Sequence, residues 1–185
     1  MVILNSDVSH TLMDFFVANA KQIILCDGAA NLFYRSKHRN AANIRAIVGD
    51  LDSIEPEVRG YYSTHIEIRD LSKDQDTNDF EKGLAMAIEL ENKRIVCLGV
   101  LGGRFDQEMN NLSVLQKYAI RHMNSDFLAT GKSTVLTVIK PQTRTTIKIG
   151  KGFAKEQVGL VCYGRAKVET KGLKWNLGQG GPQEL

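Results

Sequence analysis

Three short apolar runs in this chain each end in acidic residues and lead straight into a helical pattern. Ala46-Ile47-Val48-Gly49 passes into Asp50-Leu51-Asp52-Ser53, and Ile66-Glu67-Ile68-Arg69-Asp70 leads to Asp74-Gln75-Asp76-Thr77-Asn78-Asp79. Leu98-Gly99-Val100-Leu101 ends in Gly102-Gly103-Arg104-Phe105-Asp106. Strands alternating with helices build a parallel sheet covered on both faces, and ligands bind beyond the carboxyl ends of its strands. Side chains distant in sequence converge there. Gathered carboxylates repel one another unless a cation sits among them, so a divalent metal with a phosphate ligand is the first expectation.

The same alternation predicts the elements. Residues 2–4 read as a strand, followed by a helix over 9–20 with Ser9 as N-cap, and 22–26 and 46–49 read as buried strands. Pro56 suits the first turn of a short helix reaching Tyr62. Phe80, Leu84, Ala87 and Ile88 share one helical face while Glu81, Lys82, Glu89 and Glu91 lie elsewhere, on a helix beginning near Asp76. A strand over 94–98 precedes a helix that buries Met109, Leu112, Leu115 and Ala119 and ends near Met123. After Ser125 the pattern turns all-β, with strands expected over 126–129, 133–139, 143–149, 157–162 and 166–170. The expected fold is α/β: a Rossmann-like domain with a largely parallel sheet over 1–125, then a smaller, sandwich-like β domain over 126–185.

Composition narrows the function. An apolar share of 43% in 185 residues supports a real core, and a net charge of +3 comes from 24 basic against 21 acidic residues. The basic residues are dispersed apart from the short stretch over 35–39, so no nucleic-acid partner is expected. Cys26, Cys97 and Cys162 each sit in an apolar run without a CxxC pair and read as reduced, buried thiols. Met1-Val2-Ile3-Leu4 meets Asn5 and Asp7 too soon for a signal peptide, and no apolar stretch approaches the roughly 20 residues that span a bilayer. A cytoplasmic protein without a membrane partner is the expectation.

Asp50 and Asp52 lie one residue apart, so an extended segment projects both from one face, where they can share a hard cation such as Mg²⁺. The alternative is a turn carrying helix-capping residues. Asp79 is the third candidate ligand, with Asp76 as cap of the next helix; both acids also serve a helix dipole without any ligand. Gly102-Gly103-Arg104 offers close backbone approach and a planar fork to phosphate oxygens, and Asp106 either caps the next helix, orients Arg104 or binds a cationic substrate. Thr130-Gly131-Lys132-Ser133 lacks the earlier glycine of a P-loop, position 126 being Asp, and reads as a hairpin turn. No GxGxxG follows any strand, and His10, His38, His65 and His122 show no ligand spacing and are expected on the surface.

Five motifs in order, Cys26-Asp27-Gly28-Ala29-Ala30-Asn31, Gly49-Asp50-Leu51-Asp52-Ser53, 74–80, 102–107 and Gly172-Leu173-Lys174-Trp175-Asn176-Leu177, resemble the thiamine pyrophosphokinase family across nearly the whole chain. The resemblance implies an α/β domain joined to a β-sandwich, a homodimer, Mg²⁺ dependence, and transfer of pyrophosphate from ATP to the hydroxyl of thiamine with release of AMP. It implies a magnesium site of Asp50, Asp52 and Asp79 and a catalytic role for Arg104. It also implies a nucleotide and substrate pocket with Gln75, Asn78 and Asp106, and pocket contacts or loop support from Asp27 and Asn31. Trp175 is then the aromatic face for the cationic heterocycle, against the alternative of a core tryptophan. In the family further strands follow the Lys-Trp-Asn motif, whereas here residues 178–185 end the chain. This tail is not expected to form those strands, so the chain reads as a truncated member with an exposed sandwich edge. The competing readings are a metal-dependent phosphohydrolase and a non-catalytic nucleotide- or thiamine-binding chain.

Overall fold

The computed structural model describes residues 1–150, 157–178 and 181–185. The chain divides into two compact units, Met1–Thr145 and Thr146–Leu185. The first unit holds strands β1 (Val2–Ile3), β2 (Ile23–Cys26), β3 (Ile44–Gly49), β4 (Glu67–Asp70), β5 (Arg94–Leu98), β6 (Asp126–Thr130) and β7 (Val135–Thr137). Its helices are α1 (His10–Asn19), α2 (Ala29–Tyr34), α3 (Pro56–Ser63), α4 (Asp79–Glu89) and α5 (Phe105–Arg121). The strands form one sheet in the order β4-β3-β2-β1-β5-β6-β7. Every neighbouring pair is parallel except β6 with β7.

Strands buried on both faces explain the continuous apolar runs, since alternate side chains enter different cores. In β2, Ile24 and Cys26 join a cluster with Phe80 and Leu84 of α4 and Leu115 of α5, while Ile23 and Leu25 join one with Val17, Phe33 and Val58 of α1, α2 and α3. The mostly parallel α/β sheet is thus the one the sequence predicts.

Several local expectations change. Helix α4 begins at Asp79 rather than near Asp76, because the Asn78 side chain accepts the Glu81 backbone N–H at 2.8 Å and takes the N-cap. Lys82, expected on the polar face, is buried. Met109 is exposed, and Val114 joins Leu115 and Ala119 as the buried face of α5. Strands β6 and β7, grouped by sequence with the second domain, extend the first sheet: Phe127 and Ala129 enter its core, and Gly131 donates to the Thr134 carbonyl at 3.0 Å in the expected hairpin turn.

In the second unit, the strands expected over 143–149 and 157–162 are not formed among the described residues. The strand expected over 166–170 shortens to β8 (Lys167–Val168), which pairs antiparallel with β9 (Gln183–Glu184), a strand in the tail where none was expected. Residues 151–156 and 179–180 lie outside the described residues.

Candidate active site

Parallel register sets the site. Cys26 pairs with Val48 and Gly49 with Asp70, so β2, β3 and β4 end at one level and the residues just beyond them share an edge. The path from β4 at the sheet edge to β5 beyond β1 carries α4 across β1, β2 and β3, so the helix begins above the strand ends and delivers Asp79 there. One ligand atom from each of Asp27, Asp50 and Asp79 lies within 4.8 Å of the others.

The backbone is shaped to permit this meeting. Asp27 has φ 44° and Leu51 φ 64°, left-handed conformations that non-glycine residues adopt at a cost. The Asp27 N–H donates to the Val48 carbonyl at 2.9 Å, and the Asp50 N–H to Asp79 Oδ1 at 3.4 Å. Gly49 keeps the space open, because a Cβ there would stand 2.9 Å from both Asp79 Oδ1 and Asp27 Cβ. Burial, followed by repulsion from Asp50 and Asp27, pushes the Asp79 carboxyl up to about 6, with Lys82 acting in the opposite direction. A cradle kept clear by glycine and lined by three hard, mutually repelling oxygen donors fits a divalent cation such as Mg²⁺.

Asp52 stands apart from this group. It is exposed, its carboxylate accepts from Ser53 Oγ at 2.8 Å, and its own N–H reaches Asp50 Oδ1 at 3.4 Å. The left-handed Leu51 breaks the extended geometry that would have put Asp50 and Asp52 on one face.

Asn31 is a clamp. Its Nδ2 donates to the Ser53 carbonyl at 2.8 Å and its Oδ1 accepts the Glu55 N–H at 3.0 Å, while Asp27 Oδ1 accepts the Ser53 N–H at 3.3 Å. The short helix α2 thereby fixes the loop that carries Asp50. Asn78 is spent on capping α4, and its Nδ2 donates to Asn111 Oδ1 at 3.3 Å. Gln75 is exposed and donates to the Ser72 carbonyl at 2.7 Å.

Arg104 and Asp106 form an exposed two-point pair, Nε to Oδ1 at 3.1 Å and a terminal nitrogen to Oδ2 at 2.5 Å. That bond holds the Asp106 carboxyl below its ordinary range. Asp106 therefore orients Arg104 and does not cap α5. In the second unit Trp175 is 78% exposed, with Lys174 Nζ 4.5 Å from the ring centroid, so it is not a core tryptophan.

Two features escaped the sequence reading of the metal site. Asp27 ends a buried apolar run just as Asp50 does, and that shared pattern was its signal. Lys82 lies three residues beyond Asp79, a spacing that pairs side chains on one helix face.

A family model described as thiamin pyrophosphokinase, catalytic domain, matches residues 13–126. The chain belongs to this family. Among curated thiamine pyrophosphokinases, number 3 of Oryza sativa subsp. japonica is 39% identical over 141 residues, covering 71% of this chain and 51% of its own length. Thiamine pyrophosphokinase 1 of Arabidopsis thaliana is 29% identical over 197 residues, covering 96% of this chain and 72% of its own. The chain spans about half the length of the rice relative. The solved thiamin pyrophosphokinase from Candida albicans shares the fold with a TM-score of 0.58 at 23% identity, over 70% of this chain and 57% of that one. The yeast thiamin pyrophosphokinase does so at 0.57 and 20%, with the same coverage. Asp27, Asp50, Asp79, Lys82 and Arg104 all fall inside the family match; Trp175 lies beyond it.

Proposed function

We propose that this chain transfers pyrophosphate from ATP to the hydroxyl of thiamine, giving thiamine diphosphate and AMP. The observation that carries the reading is the convergence of Asp27, Asp50 and Asp79 at the carboxyl ends of β2 and β3 and the start of α4, in a chain of the thiamin pyrophosphokinase family. These three carboxylates would hold Mg²⁺, which when bound supplies positive charge to phosphate oxygens. In the reaction the thiamine oxygen bonds to the β-phosphorus, the bond from that phosphorus to the α-phosphate oxygen breaks, and AMP leaves while the hydroxyl proton passes to solvent. Arg104, already held as a planar fork by Asp106, offers its donors to the phosphates. Asn31 holds the Asp50 loop in register, and Asn78 fixes the start of α4.

Trp175 provides the aromatic face for the cationic ring of thiamine, a role supported by its exposure and by the ammonium it already attracts. The functional form is a homodimer, as its family resemblance implies. The compartment is the cytoplasm, in keeping with free cysteines at buried positions 26 and 97.

The test is direct. Purified chain incubated with thiamine, ATP and Mg²⁺ yields thiamine diphosphate and AMP in equal amounts, and Asp79→Asn yields neither. Release of free phosphate or pyrophosphate with thiamine unmodified would refute the transfer reading.

A further inference from the structure

We infer that Lys82 is the internal counter-charge of the carboxylate group: its buried ammonium balances part of the charge on Asp27, Asp50 and Asp79 before any cation binds, and so tunes the site to a single divalent ion. This rests on the metal-site reading above, though not on the identity of the reaction.

Lys82 is 5% exposed, and an ammonium removed from water needs a compensating charge. The carboxylate oxygen paired with it is Asp79 Oδ1, at 3.9 Å. A charge-assisted N–H···O bond is about 2.7–2.9 Å long, so this ammonium faces the acid group across a gap and is not locked onto one oxygen. The Asp74 carboxyl, in the loop that enters α4, is held below its ordinary range chiefly by the Thr77 hydroxyl and by backbone N–H groups, with Lys82 the smallest contributor. Lys117, by contrast, closes directly on Glu81 as a hydrogen-bonded ion pair.

Helical spacing explains the placement. Lys82 follows Asp79 by three residues, so its side chain lies on the face that meets the sheet beneath the strand ends. Three carboxylates and one ammonium leave a formal charge that one divalent ion cancels. A second ion would reverse the sign of the site.

Loss of the Lys82 charge has two opposite effects. Without the ammonium, the three acids repel one another unrelieved in the metal-free chain, which loses stability. An incoming cation no longer meets a like charge and binds more tightly. If the lysine only filled space with its aliphatic stem, removing its charge would leave metal affinity unchanged or lower it.

The experiment titrates the full chain with Mn²⁺, following free Mn²⁺ by electron paramagnetic resonance, and records thermal unfolding in EDTA and in saturating Mn²⁺. The unsubstituted chain binds one ion. Lys82→Met binds it tighter by about tenfold or more. Its Tm falls in EDTA, and the deficit shrinks or vanishes in Mn²⁺. Adding Asp79→Asn to Lys82→Met restores part of the metal-free Tm, because the charges are again nearer balance. A Lys82→Met chain that folds only with Mn²⁺ shows the same effect at its limit and supports the inference. Equal or weaker Mn²⁺ affinity in Lys82→Met would overturn it, as would failure of that variant to fold in either condition or two ions in the unsubstituted chain. No Mn²⁺ binding at all would overturn both this inference and the metal site. Tighter binding in Lys82→Met with no thiamine diphosphate formed by the unsubstituted chain would refute the transfer reading and leave the counter-charge upheld.

Discussion

Asp79 concentrates the electrostatic tension of the site in one side chain. Burial first, and repulsion from Asp50 and Asp27 after it, raise its carboxyl from 3.8 to about 6. The folded, metal-free chain therefore keeps a proton that the unfolded chain releases, and stability falls as pH rises between those two values, with the full penalty present above the upper one. The cost is about 1–3 kcal/mol at neutral pH, since the side chain is 31% exposed and solvent relieves part of it. Urea unfolding in EDTA at several pH values between 4 and 7 should show this decline in the parent chain and a flatter profile in Asp79→Asn. The slope is the informative quantity, because Asp79→Asn also changes the absolute stability by altering what faces Lys82. A variant that keeps the parent's full slope would assign the titration to another group.

Helix α4 carries both Asp79 and Lys82, and one glycine sets how closely it can approach the sheet. A Cβ on Gly83 would stand 2.5 Å from Cys26 Sγ and 2.9 Å from Val2 Cγ1. Gly83→Ala gains about 1 kcal/mol of helix propensity but overpacks the contact at a cost of about 1–3 kcal/mol, so a net loss is expected. Chemical denaturation should find the variant less stable, and Mn²⁺ titration should find weaker binding as Asp79 is carried away from β2; a more stable Gly83→Ala would show that the gap closes without strain. This element was legible in outline. Phe80, Leu84 and Ala87 marked its buried face by period alone, because burial of one helical stripe is a local property of sequence. Its start and its lysine were not legible, because a cap is decided by which of Asp76, Asn78 and Asp79 reaches a free N–H, and the burial of Lys82 depends on how α4 packs in the fold, which helical period alone does not report. The same limit applies to the carboxylates: alternation placed Asp50 and Asp52 together, and one left-handed residue between them undid it.

Both hydrophobic clusters draw all their buried members from the first unit, from Met1 to Ala129, with Leu136 and Val138 packed at the margin. Sequence identified strands over 126–129 and 133–139, observed as Asp126–Thr130 and Val135–Thr137, but not their sheet, since β-branched and aromatic residues encode a pleated, half-buried surface and not a partner. Among the described residues after Thr145, the large apolar side chains Ile147, Ile149, Val158, Val161 and Trp175 are exposed, and none joins either cluster. Burial of apolar surface is the main favourable term in folding, so the stability of the chain resides in Met1–Thr145. The carboxylates and Lys82 lie in the same unit, whereas Trp175 does not. A chain ending at Thr145 should therefore unfold in one cooperative transition with a Tm within a few degrees (about 5 °C) of the full chain and with unchanged Mn²⁺ affinity, yet form no thiamine diphosphate. Calorimetry, Mn²⁺ titration and product analysis on the two chains side by side provide the check. Retained transfer would remove Trp175 from the substrate site, and failure of the shortened chain to fold would mean that residues beyond Thr145 complete the core.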